Sequence, residues 1–233
     1  MQCICLSFYS FDGRKNKWWA FTQMGLAAEA LDNIPGLSFY KLMGTGAGKG
    51  FRPWPDLGTY ALLTVWDDSL SAEKAFKQAK ILMDFKTTSS HIQSFWLSAL
   101  RGHGQWNGKS PFLIEEQKPQ PNKDERVAVI TRASIKKRWM LYFWWRVRKV
   151  SRRVHQMADL EMAKGIGEWP LLEQATFSIW KNAKAIDQYA YRGQEHKNVV
   201  KATRKIKWYA EEMFMRFNII EEQSGQPGPP TIY

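Results

Sequence analysis

Apolar and polar positions first follow a strand-like pattern, with the β-rich run Cys-Ile-Cys-Leu-Ser-Phe-Tyr-Ser-Phe over residues 3–11. The period then changes. Trp18, Phe21, Gly25, Ala28 and Leu31 recur at helical spacing within 17–31, and Pro35-Gly36 breaks that helix. Residues 37–43 predict a second strand, the glycine-rich stretch 44–50 a loop, and 59–66 a third strand. A helix beginning near Ser69, with Ala72, Phe76, Ala79, Leu82 and Met83, and a strand over 92–100 complete the order β-α-β-β-α-β.

Residues 115–126 are polar and twice interrupted by proline, as in a solvent-exposed linker. Beyond them the pattern predicts a strand over 127–134, a helix over 136–157, strands over 160–164 and 174–180, a helical region over 183–208 and a strand over 214–220. The letters repeat with the elements. Lys41-Leu-Met-Gly-Thr-Gly46, Trp54-Pro55 and Thr64-Val-Trp66 run beside Met162-Ala-Lys-Gly-Ile-Gly167, Trp169-Pro170 and Ser178-Ile-Trp180. The Trp-to-Trp spacing is 12 in one copy and 11 in the other. The expected fold class is therefore α+β: duplicated ferredoxin-like (βαββαβ) units, dimeric α+β-barrel-like, with antiparallel sheets packed together. The units are 1–114 and 127–222, separated by the linker 115–126 and followed by a disordered tail, 223–233.

The 233 residues include 12 Trp, 13 Phe and 8 Tyr and are 44% hydrophobic, enough for a large buried core. Net charge is +12, and it is uneven: 12 basic and 8 acidic side chains over 1–114, against 19 and 8 over 127–220. An anionic partner is thus expected at the second half. Cys3 and Cys5 lie too close along one strand for ordinary disulfide geometry. No leader pattern is read at the N-terminus, and the longest apolar run, 139–145, is far short of the ~20 residues of a membrane span. The expected location is cytoplasmic, peripheral to the inner membrane face.

Several chemistries find no support. The loop 44–50 lacks the residues of a Walker motif at Met43 and Gly50, and Lys49 stands where a dinucleotide fingerprint needs glycine. Metal-ligand spacings, a nucleophile elbow and an activated cysteine are missing from the sequence as well. His196 is more informative. Ile186, Tyr189, Gly193, His196 and Val200 fall on one helical face, where Gly193 leaves room for a flat macrocycle and an imidazole is the common axial ligand of haem iron. A hydrogen-bonded core histidine fits the same spacing. The segment 136–153 carries eight Lys or Arg, no acid, and Trp139, Tyr142, Phe143, Trp144 and Trp145. It reads as a solvated basic face first and a membrane-surface helix second. Nucleic acid is not an expected partner, because the strands lack the aromatic signature of an RNA-recognition module.

At Tyr40-Lys-Leu-Met-Gly-Thr-Gly-Ala-Gly-Lys-Gly-Phe51, and again at Gly165-Ile-Gly-Glu-Trp-Pro-Leu-Leu-Glu-Gln-Ala-Thr-Phe-Ser-Ile-Trp180, the chain resembles the spheroidene monooxygenase family. Ile130-Thr-Arg-Ala133, Phe143-Trp144, Arg146-Val147, Trp208-Tyr-Ala-Glu-Glu212 and Arg216-Phe217 extend the likeness to about residues 3–220. The resemblance implies a monooxygenase carrying haem b, which uses O2 and electrons from reduced ferredoxin to hydroxylate or ketolate the C2 region of an acyclic carotenoid. It favours His196 as the ligand of the haem iron, with Gly193 and Arg216 beside the cofactor and Arg132, Gln174 and Thr176 as catalytic candidates. Arginine would neutralise a haem propionate, and Gln174 or Thr176 would hydrogen-bond an oxygen ligand. Trp139, Trp144, Trp169 and Phe177 are candidates to line the carotenoid's route. Strand parity separates Gln174, Thr176 and Ser178 from Ala175, Phe177 and Ile179 without saying which set meets the cofactor. Another haem enzyme of this architecture, a dehydratase or a peroxidase-like protein, and a cofactor-free basic binding module are the competing classes. The oligomeric state is left open.

Overall fold

The computed structural model describes residues 1–46, 55–114, 125–140, 142, 158–169, 173–192 and 209–226. The elements are β1 (Cys3–Ser10), α1 (Gly13–Asp32), β2 (Leu37–Gly46), β3 (Pro55–Trp66), α2 (Ser69–Gln78), α3 (Lys80–Thr88) and β4 (His91–Gly104). They continue with β5 (Val127–Ile135), a 3-10 turn (Lys137–Trp139), β6 (Leu160–Trp169), β7 (Glu173–Trp180), α4 (Ala183–Arg192) and β8 (Tyr209–Gly225). The chain forms two compact units. The first holds Met1–Thr45, Asp56–Ser98 and the described residues from Ile219 onward, and the second holds those between Ala99 and Asn218.

In the first unit the strands run β4-β1-β3-β2, antiparallel where β1 pairs with β3 and with β4. One face carries the helices. Tyr9, Phe11, Tyr60, Leu62 and Trp66 from the sheet pack against Ala20, Ala27 and Leu31 of α1, Ala72 and Ala75 of α2, and Leu82 and Phe85 of α3. The aromatic rings meet edge-on or tilted, Trp19 to Phe85 at 5.2 Å and Phe11 to Tyr60 at 6.1 Å. Cys5 lies buried on this sheet. Burial pushes its thiol up to about 12, against the pull of a 3.5 Å contact with Ser7 Oγ, so it is an inert core group.

The pattern predicted one helix from Ser69, and the structure has two. Ala79 is extended (φ −72°, ψ 116°), and its backbone N–H closes α2 on Ala75 O. In an unbroken helix, the 13 residues from Ala72 to Phe85 would leave the two about 140° apart at 100° per residue. The break resets that phase, and both side chains reach the core.

The second unit repeats the strand order as β8-β5-β7-β6. β5 pairs antiparallel with β7 from Val127↔Trp180 to Ser134↔Glu173, and with β8 from Val127↔Asn218. Its helix face carries Val127, Val129 and Trp180 against Ala185 and Ile186 of α4. The linker over 115–124 and most of the helix expected at 136–157 lie outside the described residues, as does 193–208. Five strands exceed their sequence-read limits by three residues or more: β2 reaches Gly46, β3 begins at Pro55 and β4 reaches Gly104. β6 reaches Trp169, and β8 reaches Gly225, beyond Glu222, where the reading of the chain ended the second unit. The extension of β8 is held by Gln93 Nε2 donating to Glu222 Oε1 at 3.0 Å and by His91 Nε2 against Ser224 Oγ at 3.1 Å.

Gly36 joins α1 to β2 at φ +78°, and a Cβ there would lie 2.6 Å from Ser71 Cβ on α2, while its carbonyl accepts from Asp67 N at 2.9 Å. Gly36→Ala is therefore expected to lower stability by about 2 kcal/mol in urea unfolding, through strain and overlap together. An unchanged midpoint would count against this turn as the anchor of α2.

Candidate functional site

Antiparallel partners point to the same face, so the registers sort the second sheet into rows. Below α4, the row Asn218, Val127, Trp180 and Leu160 is mostly apolar. The next is Arg216, Val129, Ser178 and Ala163. After it come Phe214, Thr131, Thr176 and Gly165, and then Glu212, Ala133 and Gln174. The parity question thus has an answer: Gln174, Thr176 and Ser178 share the helix-facing side with Arg216.

The first unit provides an internal comparison at equal distances from the Trp that ends β3 or β7. Where it has Tyr60, Leu62 and Trp96, the second unit has Gln174, Thr176 and Arg216. The first set packs against helices and aromatic rings. The second is polar, and across from Thr176 and Ser178 the β6 positions Gly165 and Ala163 add almost no bulk. A sheet face with small side chains and free polar atoms suits a flat ligand bearing its own polar groups.

Arg216 is almost fully buried, and its Nη2 donates to Asp187 Oδ1 on α4 at 2.6 Å. Its Nε and Nη1, together with Thr176 Oγ1 and Asn218 Oδ1, are buried without a hydrogen-bond partner. A buried guanidinium with two unsatisfied donor nitrogens is costly unless an acceptor meets them. The guanidinium lies 5.5 Å from the centre of the Phe214 ring, and Phe214 also stacks with His103 at 6.1 Å and 28°. Sequence reasoning passed over His103. Its signal is the triplet Gly102-His103-Gly104, where a Cβ at either glycine would strike the backbone of β8 at Phe214 or Glu212, so only glycine lets the end of β4 seat the imidazole on Phe214.

Arg132 is separated from this group. It points to the opposite face with Phe177, the partners of both lying at odd-even alternation from Thr131 and Thr176. Its Nη1 donates to Glu211 Oε2, and its Nη2 donates to Asn107 Oδ1 at 2.9 Å and lies 3.7 Å from Glu173 Oε2. The guanidinium also rests 5.4 Å from the centre of the Trp106 ring, whose Nε1 donates to Glu168 Oε1 at 2.6 Å. This is a satisfied structural knot. It fastens the turn Trp106-Asn107-Gly108-Lys109, where Asn107 (φ 54°) and Gly108 (φ 72°) adopt the left-handed pair that an Asn-Gly sequence favours. Their backbone N–H groups donate to Glu211 at 2.8 and 2.7 Å.

The described residues among those expected to line a carotenoid route differ in exposure. Phe177 is wholly buried, Trp169 is 68% exposed at the end of β6, and Trp139 is half-buried with its Nε1 unpartnered. Trp144, Gly193 and His196 lie outside the described residues. Among the described residues no group of three His, Cys, Asp or Glu side chains is placed to hold a metal ion.

Two four-stranded sets of 4-1-3-2 order, the first with α1, α2 and α3 on one face and the second with α4, place the protein among the α+β folds of ferredoxin-like type. A solved aldoxime dehydratase, in complex with butyraldoxime, shares the fold at a TM-score of 0.62 and 6% identity over 98% of this chain and 83% of its own. No family model matches the chain. Its sequence is 33% identical over 232 residues to spheroidene monooxygenase of Rhodobacter capsulatus, covering 100% of this chain and 96% of that protein. It is 30% identical over 222 residues to spheroidene monooxygenase of Cereibacter sphaeroides, covering 94% and 67%. The chain belongs to the spheroidene monooxygenase family, and it is an oxidoreductase of the monooxygenase class.

Burial opposes the charge on Glu211, but the N–H groups of Gly108 and Asn107 and the Arg132 guanidinium outweigh it and hold the carboxyl below its ordinary value. Such a group stabilises the fold fully above the unfolded-state pKa, and the contribution is lost as pH falls through the folded-state pKa. Glu211→Gln is expected to cost about 3 kcal/mol at neutral pH, by leaving Arg132 buried beside a neutral partner. In urea titrations the gap should close in acid. A variant as stable as the wild type at neutral pH would remove the knot from the account.

Proposed function

We propose that this enzyme oxidises a carotenoid by haem-dependent monooxygenation, hydroxylating or ketolating the C2 region of an acyclic end with O2 and electrons from reduced ferredoxin. The observation that carries the reading is the full-length relationship to a spheroidene monooxygenase. The helix-facing side of the second sheet supports the cofactor. Haem carries most of its iron's donors with it and would need a single side chain from the protein, so a cluster of protein ligands is not required. His196 is proposed for that position on the strength of its spacing and the family resemblance.

The residues present fit such a group. The unpartnered N–H groups of Arg216 would donate to a propionate carboxylate as their missing acceptor, with Asp187 fixing the guanidinium through its Nη2. Thr176 Oγ1, also unpartnered, would hydrogen-bond a polar group of whatever is bound on this face, and Gln174 sits one row away on the same face. Bound there, haem b would supply the one-electron chemistry that triplet dioxygen requires. In each hydroxylation one oxygen atom enters a C–H bond and the other leaves as water, with one O2, two electrons and two protons consumed, and a ketone requires a second such round at the same carbon followed by loss of water. His103, exposed and stacked on Phe214 beside this face, is the imidazole proposed to relay protons between solvent and the site. The repeated letters and the common strand order support a duplicated ferredoxin-like origin, like the paired units of dimeric α+β-barrel proteins.

Haem reconstitution followed by ferric and dithionite-reduced absorption spectra tests the reading directly. A Soret band is expected in the wild type and its loss or shift in His196→Ala, while Arg216→Gln should weaken haem retention about tenfold. Carotenoid turnover with O2 and reduced ferredoxin should then yield the oxygenated product. Haem without carotenoid oxidation would favour the dehydratase-like alternative, and a protein that never takes up haem would favour the cofactor-free basic module. For His103→Gln, an approximately hundredfold fall in kcat with one limb lost from the pH–rate profile is expected. An unchanged profile would exclude it as the proton carrier.

A further inference from the structure

The outward face of α1 has a composition that water does not favour. The helix buries Ala20, Ala27 and Leu31 and turns Trp18, Phe21 and Leu26 away from the sheet, where they are 66%, 51% and 70% exposed. At 100° per residue Trp18, Phe21 and Gly25 fall within about 60° of one another and roughly opposite the buried three. The Trp18 and Phe21 rings touch, their centroids 5.8 Å apart. Leu57, at the start of β3, extends the apolar area: it is 57% exposed, and the stem of Lys17 lies over the neighbouring Gly58, where a Cβ would be 3.3 Å from Lys17 Cε.

Arg14, Lys15 and Lys17 are all exposed and surround the aromatic pair at the N-terminal end of the helix. The carboxylates at that end are Asp12, exposed ahead of the helix, and Asp56, which is turned inward to accept from Gly58 N at 2.9 Å. The first acid within α1 is Glu29, more than two turns beyond Phe21. Aromatic side chains facing outward with a basic collar match the boundary of an anionic bilayer, where Trp and Phe enter the acyl region and Lys and Arg remain among the phosphates. A symmetric second copy fits poorly, because a two-fold contact through this patch would bring two basic collars together.

We propose that the outer face of α1, with Leu57 beside it, docks the enzyme on an anionic lipid surface. The benefit of docking rests on the carotenoid reading, since an apolar polyene is supplied from a bilayer. The docking itself does not depend on that reading. It also assigns membrane contact to the first unit rather than to the basic segment 136–153.

The test is flotation of the full-length protein with vesicles of equimolar phosphatidylcholine and phosphatidylglycerol, and with vesicles of phosphatidylcholine alone. The wild type should float with the anionic vesicles in a salt-sensitive manner and only weakly with the neutral ones. Trp18→Ser/Phe21→Ser should lower anionic partitioning about tenfold or more. Arg14→Gln/Lys15→Gln/Lys17→Gln should lower it on the order of a hundredfold and abolish the salt dependence. These side chains are exposed, and unchanged circular dichroism and melting would show that each variant is folded. Wild-type-like flotation of either folded variant, or no binding of the wild type, overturns the proposal. A wild-type dimer that the aromatic variant converts to a monomer overturns it too, by making the patch a self-association surface. With carotenoid supplied in detergent micelles the aromatic variant should turn over like the wild type, so loss of vesicle binding and failure of the oxygenase reading give different results.

Discussion

Side chains alternate along a strand, so the register that locks β5 between β7 and β8 decides which groups of the second unit meet the helix. Eight successive pairs from Val127↔Trp180 to Ser134↔Glu173 leave no freedom in that assignment. A slip by one residue would exchange Thr176 for Phe177 and Arg216 for Phe217, turning a polar face into a core and the core into a polar face. Apolar Val127, Val129 and Trp180 beneath Ala185 and Ile186 resist such a slip, since it would expose them and bury Arg216 differently. The packing near the start of α4 therefore sets the chemistry several residues away.

The two buried arginines among the described residues show what a low-dielectric interior demands. Arg132 has a carboxylate, an amide oxygen and an indole face around its guanidinium, and the arrangement is complete. Arg216 has one carboxylate and two donor nitrogens without an acceptor. Desolvation weighs on both, and a residue that serves stability alone is expected to resemble the first. The incomplete one stands on the helix face, opposite a β6 that carries Gly165 and Ala163. Its disposition is that of a group waiting for an acidic ligand, which is why the cofactor reading is assigned to that side.

Much of the fold was legible because single-period patterns need only local information. The strands that begin at Cys3 and end at Trp66 and Trp180 were each readable within a few residues, as were the order of elements and their recurrence. The break at Ala79 was not, because both half-helices keep a helical period and only the demand that Ala72 and Phe85 reach one core separates them. β8 ran past its expected end for a related reason: polar residues such as Glu222 and Ser224 are held by cross-strand partners on β4, which the sequence pattern does not display. In the site, parity gave the sets but not the sides. The facing of Gln174 and Thr176 depends on Trp180 lying under α4, a tertiary fact, and the pairing of Arg132 with Glu211 spans 79 residues. His103 was visible only as an isolated histidine until the glycines beside it acquired a neighbour in β8.

The comparison of the two sheets carries the functional argument furthest, because each unit serves as a reference for the other. Both sheets have the same strand order and a Trp at the same pair in the register, so equivalent positions face equivalent demands. The first unit meets them with Tyr60, Leu62 and Trp96, and its helices close over an aromatic core. Had the second unit needed only to fold, residues of the same kind would serve at Gln174, Thr176 and Arg216, and each polar substitution there is unfavourable to stability by the same physics that makes the first core stable. The departures that leave donors without acceptors lie on one face of the sheet: Arg132, which stands on the opposite face where the first unit has Phe8, is fully partnered, and Val127, Val129, Phe177, Ile179 and Phe217 remain buried. Selection against stability at a confined patch is how a binding site is recognised in a fold that can exist without one. The first unit, whose helices close over an aromatic core, is free to use its outer helix surface for something else, and the exposed Trp18 and Phe21 mark where that freedom has been taken up.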